Sequence, residues 1–184
     1  MSQDFCVDVA PLYLRLFGDA CGPLVGQPFC AGAGGSTPCP CGNSSPLPNL
    51  EGCRNSVNGV NGGRLEVLGT ASLSADSVLL RALRLPATTS ALFFQGTQQQ
   101  ASGAGIAFGD GLRCAGGVTT RLASRSAVNG QVEFPLSGEP AVSNLGGIST
   151  AGTRTYQVWY RNSASFCTSS MFNLTNGWEL AWMP

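Results

Sequence analysis

The stretch TYQVWYRN, residues 155–162, alternates apolar and polar side chains along its length. Successive residues of a β-strand point to opposite faces of a sheet, so this alternation predicts a strand with one buried face. The residues predicted to face the core are Tyr156, Val158 and Tyr160. The residues predicted to lie on the opposite face are Gln157, Trp159 and Arg161.

Similar short runs follow one another from residue 64 to the end of the chain. They are rich in Val, Leu, Phe, Thr and Tyr, and Gly, Asn and Pro turns separate them at spacings of about ten residues. In the terminal run WELAWM, the residues predicted to share a core-facing side are Trp178, Leu180 and Trp182. The pattern predicts an all-β protein, an antiparallel β-sandwich of jelly-roll type with a disulfide-rich, irregular N-terminal extension.

Three regions follow from the change in composition along the chain. Residues 1–29 are predicted to form an N-terminal arm with one extended strand, LYLRLF at residues 12–17. Residues 30–63 are dominated by Gly, Pro, Ser, Asn and Cys, which predicts a stapled segment without helix. Residues 64–184 are predicted to form the sandwich body.

The chain has eight cysteines, Cys6, Cys21, Cys30, Cys39, Cys41, Cys53, Cys114 and Cys167. A structural zinc site needs two close pairs of ligands or Cys with His, but the only close pair is CPC and the chain has no His. A thioredoxin-like site needs two residues between its cysteines, and CPC has one. We therefore predict four disulfides and an oxidising, extracellular or cell-surface location.

The pairing of these cysteines is open, because eight of them allow about 105 arrangements. Closure of short loops favours Cys6 with Cys21, Cys30 with Cys39, and Cys41 with Cys53. The two cysteines left over, Cys114 and Cys167, are then predicted to pair across the body.

Composition excludes several classes of function. The 184-residue chain has ten Arg, no Lys, no His and no net charge, which gives no electrostatic reason to bind nucleic acid. Without His or Lys it cannot form a Ser-His-Asp triad, a His-ligated metal site or a Schiff base. We expect no catalytic residues, no metal and no cofactor. No run approaches the ~18 apolar residues of a membrane helix, so no membrane insertion is predicted.

The start of the chain, MSQDFCVDVAP, has neither the basic nor the apolar region of a secretory signal, which leaves the export route open. The motifs CPCGN, GCRNS, FGDGLRCAGG, TYQVWYRN and FNLTNG together resemble a Cys-rich β module near the C-terminus of large secreted or surface proteins of planctomycetes and myxobacteria. The resemblance covers residues 30–184. It implies an extracellular, disulfide-stapled β-structure and no particular activity.

Two places are candidates for ligand binding. Asp110, between two glycines in FGDGLRC, can present a carboxylate to Ca²⁺ or a sugar hydroxyl, or can accept backbone N–H groups in a tight turn. Trp159 with Gln157 and Arg161 can form a stacking platform for a sugar ring, or Trp159 can be covered by the arm or a loop. Other arginines are predicted to keep the surface polar and to pair across strands, namely Arg81, Arg113, Arg121, Arg125 and Arg154.

Together these features predict a non-catalytic extracellular module with a structural or adhesive role. One alternative is a carbohydrate-binding module that uses Trp159. The other is a self-assembling subunit of an extracellular filament, whose N-terminal strand adds to the sheet edge of a neighbouring copy. The expected partners are a glycan, other surface proteins or further copies of the chain.

Overall fold

The computed structural model describes residues 24–184, apart from residues 34, 36, 58, 164, 165 and 167. This part of the chain is nearly all β, and its strand pairs are antiparallel. Its strands are β1 (Gln27–Phe29), β2 (Arg64–Leu68), β3 (Leu79–Leu83), β4 (Ser90–Gln99), β5 (Ile106–Phe108), β6 (Gly111–Arg113), β7 (Ala115–Ser126), β8 (Val132–Phe134), β9 (Gly152–Arg161), β10 (Phe172–Leu174) and β11 (Gly177–Trp182). One short helix, α1 (Val142–Leu145), and a single 3-10 turn at Gln100–Gly103 accompany them.

Two sheets face each other. The large sheet has the strand order β1-β11-β9-β4-β7, with β10 also paired to β9 beyond the end of β11. The small sheet has the order β2-β3-β8, and β5 and β6 form a separate hairpin. This arrangement confirms the predicted all-β sandwich. Within the described residues, no helix has the length and hydropathy of a membrane-spanning segment.

The core lies between the two sheets and confirms the faces predicted for β9 and β11. From β9, the side chains of Tyr156, Val158 and Tyr160 are completely buried in it. From β11 come Trp178, Leu180 and Trp182. The small sheet contributes alternate residues of its three strands, Leu65, Val67, Leu80, Ala82, Val132 and Phe134.

Polar atoms inside this core are connected to one another. The indole N–H of Trp182 donates to the Tyr156 hydroxyl over 2.8 Å, and that hydroxyl lies 3.1 Å from the Gln95 side-chain oxygen. The Gln95 amide in turn donates to the Gly146 carbonyl over 3.0 Å. Because each buried group has a partner, the network avoids the desolvation penalty of an unsatisfied polar atom.

An irregularity between β10 and β11 reverses the alternation of side chains between the two faces of the large sheet. Leu174 and Trp178 are four residues apart and would share a face in a regular strand. Instead, Leu174 packs on the outer face with Phe94, and Trp178 packs in the core. At the break, the side chain of Asn176 accepts from Leu65 N over 2.8 Å and so ties the large sheet to β2.

The segment predicted to be stapled, residues 30–63, contacts the sandwich, and its described residues contain no helix, as predicted. Its Glu51 has no exposed surface. The Glu51 carboxylate accepts from Gly62 N over 2.9 Å and forms an ion pair with Arg84, whose side chain is 42% exposed. Asn55 donates to the Arg84 carbonyl and to the buried Tyr160 hydroxyl. The segment is therefore part of the folded body.

The predicted N-terminal arm lies mostly outside the described residues, including the LYLRLF strand. Its last residues form β1, which pairs with the outer edge of β11 in the register Gln27↔Glu179 and Phe29↔Gly177. The predicted division at residue 29 therefore assigns β1 to the arm, although β1 is hydrogen-bonded to the large sheet of the body.

The disulfide pairing differs from the prediction. Cys30 is bonded to Cys114 and Cys39 to Cys53, so the predicted pairs Cys30–Cys39, Cys41–Cys53 and Cys114–Cys167 are wrong. The rule of short loops failed because β1 pairs with β11, which brings Cys30 beside the chain between β6 and β7. Cys41 is also disulfide-bonded. The predicted pair Cys6–Cys21 lies outside them as well.

A candidate binding groove on the large sheet

An open groove of about 690 Å³ runs over the outer face of the large sheet. Its floor contains a row of register partners, because Trp159 on β9 lies between Leu174 on β10 and Leu92 on β4. The hairpin β5-β6 supplies Phe108 and Arg113 to its lining. The remaining lining comes from Phe94 and from β7, with Thr119, Thr120, Arg121, Leu122, Ala123 and Ser124. We call this surface the groove.

Trp159 lies on the outer face, as the alternation predicts, and its side chain is half-buried in the groove. Its ring centroid is 5.4 Å from that of Phe172, which lies 4.9 Å from that of Phe108. These tilted contacts are in the range where aromatic rings attract one another. They hold the indole in place while part of it remains accessible from the groove.

The β5-β6 hairpin is fixed at its base by a disulfide. Cys114, the residue after β6, is bonded to Cys30. The chain enters the hairpin through Gly105, whose φ is +72° and whose Cβ, if it had one, would lie 2.4 Å from the Cys30 sulfur. Only glycine fits that position without strain. The covalent bond thus limits the positions that Phe108 and Arg113 can take.

Asp110 fixes the other end of the hairpin, at its turn. Its side chain is completely buried, and its carboxylate accepts from Thr168 N over 2.7 Å and from the Asn162 amide over 3.3 Å. Its backbone carbonyl accepts from the Asn43 amide over 2.8 Å. Of the two predicted roles, these contacts match the tight turn, and they make Asp110 a positioning residue for the hairpin.

Gln157 lies beneath the hairpin and not in the groove. It is 1% exposed, its side-chain oxygen accepts from Cys114 N over 2.8 Å, and its amide donates to Leu112 O and Thr175 O. The Gln157 side chain therefore joins the hairpin to β10 and has no donor left for a ligand. Sequence alternation placed it on the outer face correctly but did not show that the hairpin covers it.

Arg161 is exposed two residues beyond Trp159, where it pairs in register with Phe172. It is not part of the groove lining. Two other arginines, Arg113 and Arg121, do line the groove. Arg113 is half-buried and donates from Nε to the Ala115 carbonyl over 3.3 Å, whereas Arg121 is exposed and lies opposite Phe94 on β4.

The carboxylate side chains of the described residues are absent from the groove lining. The predicted cross-strand pairing is confirmed for Arg81, which lies 3.5 Å from Glu66 and 3.9 Å from Glu133 on the strands beside it. Arg125 pairs with Glu139, and the Leu136 N–H together with Arg125 lowers the pKa of that carboxyl. The groove lining contains two guanidinium groups and, among the described residues, no carboxylate.

Among the described residues, no group of three or more Cys, Asp or Glu side chains is placed to hold a metal ion.

Comparison with protein-family models, with curated proteins and with solved structures finds no match. The groove is therefore the feature from which a function is inferred.

Proposed function

We propose that this chain is a non-catalytic extracellular adhesion module that binds carbohydrate through the groove. The observation that carries the proposal is the partly accessible indole of Trp159 on the groove floor, in a lining that also contains hydroxyl and guanidinium donors. A sugar ring has an apolar face that can stack on an indole and hydroxyl groups that can bond to polar side chains. The groove offers both kinds of contact on a rigid sheet.

The disulfides support an extracellular location. The described cysteines, from Cys30 to Cys114, are all disulfide-bonded. Disulfides persist in oxidising compartments and are rare in the cytosol, where thiol systems reduce them. The resemblance to modules of secreted and surface proteins points to the same compartment.

The chemistry of the groove supports a binding role without catalysis. General acid–base catalysis needs a group that exchanges a proton near neutral pH, such as His, Asp or Glu. The groove lining offers hydroxyl groups and two arginines, which stay protonated in proteins. A broad screen for glycoside hydrolysis is therefore expected to find no turnover.

A glycan array followed by calorimetry tests the proposal. We expect the native chain to bind a subset of glycans, Trp159→Ala to lose that binding, and Trp159→Phe to retain part of it because a ring remains. Met183→Ala is the matched control, since Met183 is 61% exposed and lies outside the groove. An array without any bound glycan, or equal affinity of native protein and a folded Trp159→Ala variant, overturns the proposal.

Self-assembly is a second candidate, favoured by the edge of the large sheet. β7 is twelve residues long and pairs with β4 on one side only in the described structure. An unpaired edge is a template for strand addition. Light scattering and electron microscopy over a concentration series test this, with Leu14→Glu as the variant that disrupts the predicted N-terminal strand. A monodisperse monomer at high concentration excludes it.

A further inference from the structure

We propose that the groove is specific for acidic polysaccharide, and that Arg113 and Arg121 bind the carboxylates of its uronic acid units. This inference rests on the proposed function and specifies the class of glycan. It follows from the distribution of charge around the groove, from the setting of the two arginines and from their spacing relative to Trp159.

The charges around the groove are not balanced. Of the other described arginines, four are paired with carboxylates, namely Arg64, Arg81, Arg84 and Arg125, while Arg54, Arg154 and Arg161 lie outside the groove lining. The carboxylates are likewise occupied away from the groove; Glu179, for example, accepts from Gln27 and Gln99. Arg113 and Arg121 have no ion pair with any described carboxylate. The groove thus presents positive charge that no acidic side chain of the described residues neutralises.

The Arg113 side chain is anchored by a hydrogen bond and by the disulfide of the residue that follows it. Its Nε–H is used by the Ala115 carbonyl, which leaves the two terminal nitrogens to face other partners. The residue after it is Cys114, held by the disulfide to Cys30. A half-buried guanidinium without a counter-ion bears part of a desolvation penalty, which an anionic ligand relieves. Because the hairpin is already fixed, little ordering accompanies binding.

Trp159 and Arg121 lie on different strands of the large sheet, β9 and β7. Arg121 is the register partner of Phe94, and Trp159 is the partner of Leu92, two residues before Phe94 on the same strand. Trp159 and Arg121 are therefore two strands and about two residues apart, a Cα separation of roughly 12 Å. A sugar ring stacked on Trp159 contacts Arg121 only if that side chain extends toward it, whereas a segment of linked sugars contacts both residues along the groove. The spacing therefore favours a polysaccharide segment as the ligand.

Two features of the groove favour a carboxylate as the anion. A guanidinium binds a planar carboxylate through two parallel N–H bonds, and a uronic acid carries one such group on each ring. The floor beside the arginines is apolar, with Leu92, Phe94 and Leu174. Two separated cations over an apolar floor match a chain with one charge per sugar better than a densely sulfated chain.

Calorimetry with four defined polymers tests the inference at low and moderate salt. Polygalacturonate is the acidic probe, and its fully methyl-esterified form is the neutral probe of the same backbone. Dextran sulfate and poly-glutamate represent a sulfated glycan and an acidic polypeptide. We expect tightest binding of polygalacturonate, at least tenfold weaker binding of the ester, and loss of affinity as salt screens the charges.

Variants separate this inference from the proposed function. We expect Arg121→Ala and Arg113→Ala each to weaken polygalacturonate binding about tenfold, which corresponds to about 1.4 kcal/mol. Arg113→Lys keeps the positive charge. If it binds polygalacturonate better than Arg113→Ala does, the loss in the alanine variant is due to the missing charge and not to unfolding of the hairpin. Arg154→Ala is the matched control, because Arg154 lies on the large sheet outside the groove lining.

The outcomes are distinct. Equal binding of the acid and its ester, or unchanged affinity in folded Arg113→Ala and Arg121→Ala variants, overturns the acidic specificity and leaves glycan binding intact. Equal or tighter binding of dextran sulfate or poly-glutamate overturns the choice of a uronic acid ligand. Absence of binding to any glycan overturns the proposed function itself, together with this inference.

Discussion

Cys30 is bonded to Cys114, which lies 84 residues further along the chain. The bond connects the end of β1, at one edge of the large sheet, with the base of the β5-β6 hairpin. It therefore stabilises the fold by joining distant parts of the chain, and it also restrains the positions of Phe108 and Arg113 in the groove. Cys39–Cys53, by contrast, closes a loop of 14 residues within the stapled segment.

Removing the two disulfides separately is expected to give unequal losses of stability. In the chain-entropy model the longer loop contributes about 4.5 kcal/mol and the shorter one about 3 kcal/mol. We expect Cys30→Ser with Cys114→Ser to lower the free energy of unfolding more than Cys39→Ser with Cys53→Ser. Urea unfolding of the two double variants measures the difference, and a larger loss for the shorter loop would contradict it.

A peptide map without reductant is expected to contain the linked pairs Cys30–Cys114 and Cys39–Cys53. The same map identifies the partner of Cys41, which is disulfide-bonded. Mapping at acidic pH prevents exchange between thiolates and disulfides during digestion. Recovery of Cys30–Cys39 as a main product would contradict the Cys30–Cys114 bond that follows from the position of β1, and recovery of Cys41–Cys53 would contradict the Cys39–Cys53 bond.

Arg84→Ala is expected to lower the free energy of unfolding by about 3 kcal/mol, because it leaves the buried Glu51 carboxylate without its cation. Arg64→Ala is the matched control. The Arg64–Glu66 pair is partly exposed, and such pairs contribute roughly 1 kcal/mol or less. Urea unfolding of both variants measures the contrast. Equal effects would mean that Glu51 has access to water in solution.

Asp110→Ala is expected to lower the free energy of unfolding by about 1–3 kcal/mol, because Thr168 N and the Asn162 amide lose their acceptor. It is also expected to weaken glycan binding by releasing the hairpin turn. Calcium is the control: since hydrogen bonds occupy both carboxylate oxygens, adding Ca²⁺ or a chelator should leave the melting temperature of the native chain unchanged. A rise of several degrees with Ca²⁺ would restore Asp110 as a cation ligand.

Stability is expected to fall as the pH rises above about 10, the ordinary pKa of tyrosine. Burial raises the pKa of Tyr156 and of Tyr160 in the folded chain, even though Trp182 and Asn55 donate hydrogen bonds to them. The unfolded chain therefore loses these protons first, which favours unfolding at high pH and has no effect below it. Melting curves and tyrosinate absorbance measure this together. Reversible ionisation of all three tyrosines near pH 10 in folded protein would contradict it.

The strand faces were predictable because β9 and β11 each bury one side of a regular alternation, as at Tyr156 and Trp178. Gln157 and Asp110 were harder to interpret, since their burial depends on a hairpin and on loops from distant parts of the chain. The two glycines beside Asp110 were the local sign of a turn. The groove position of Arg113 and Arg121 had no local sign, because it arises from the order of strands in the sheet.

The break between β10 and β11 constrains how the binding surface can diversify. One continuous length of chain delivers Leu174 to the outer face and Trp178 to the interior, with Asn176 as the point where the parity changes. A one-residue insertion or deletion in this length would move core side chains to the outer face and outer-face side chains into the core. Variation in what related chains recognise is therefore expected in the hairpin and along β7, while the length between Phe172 and Trp182 stays constant.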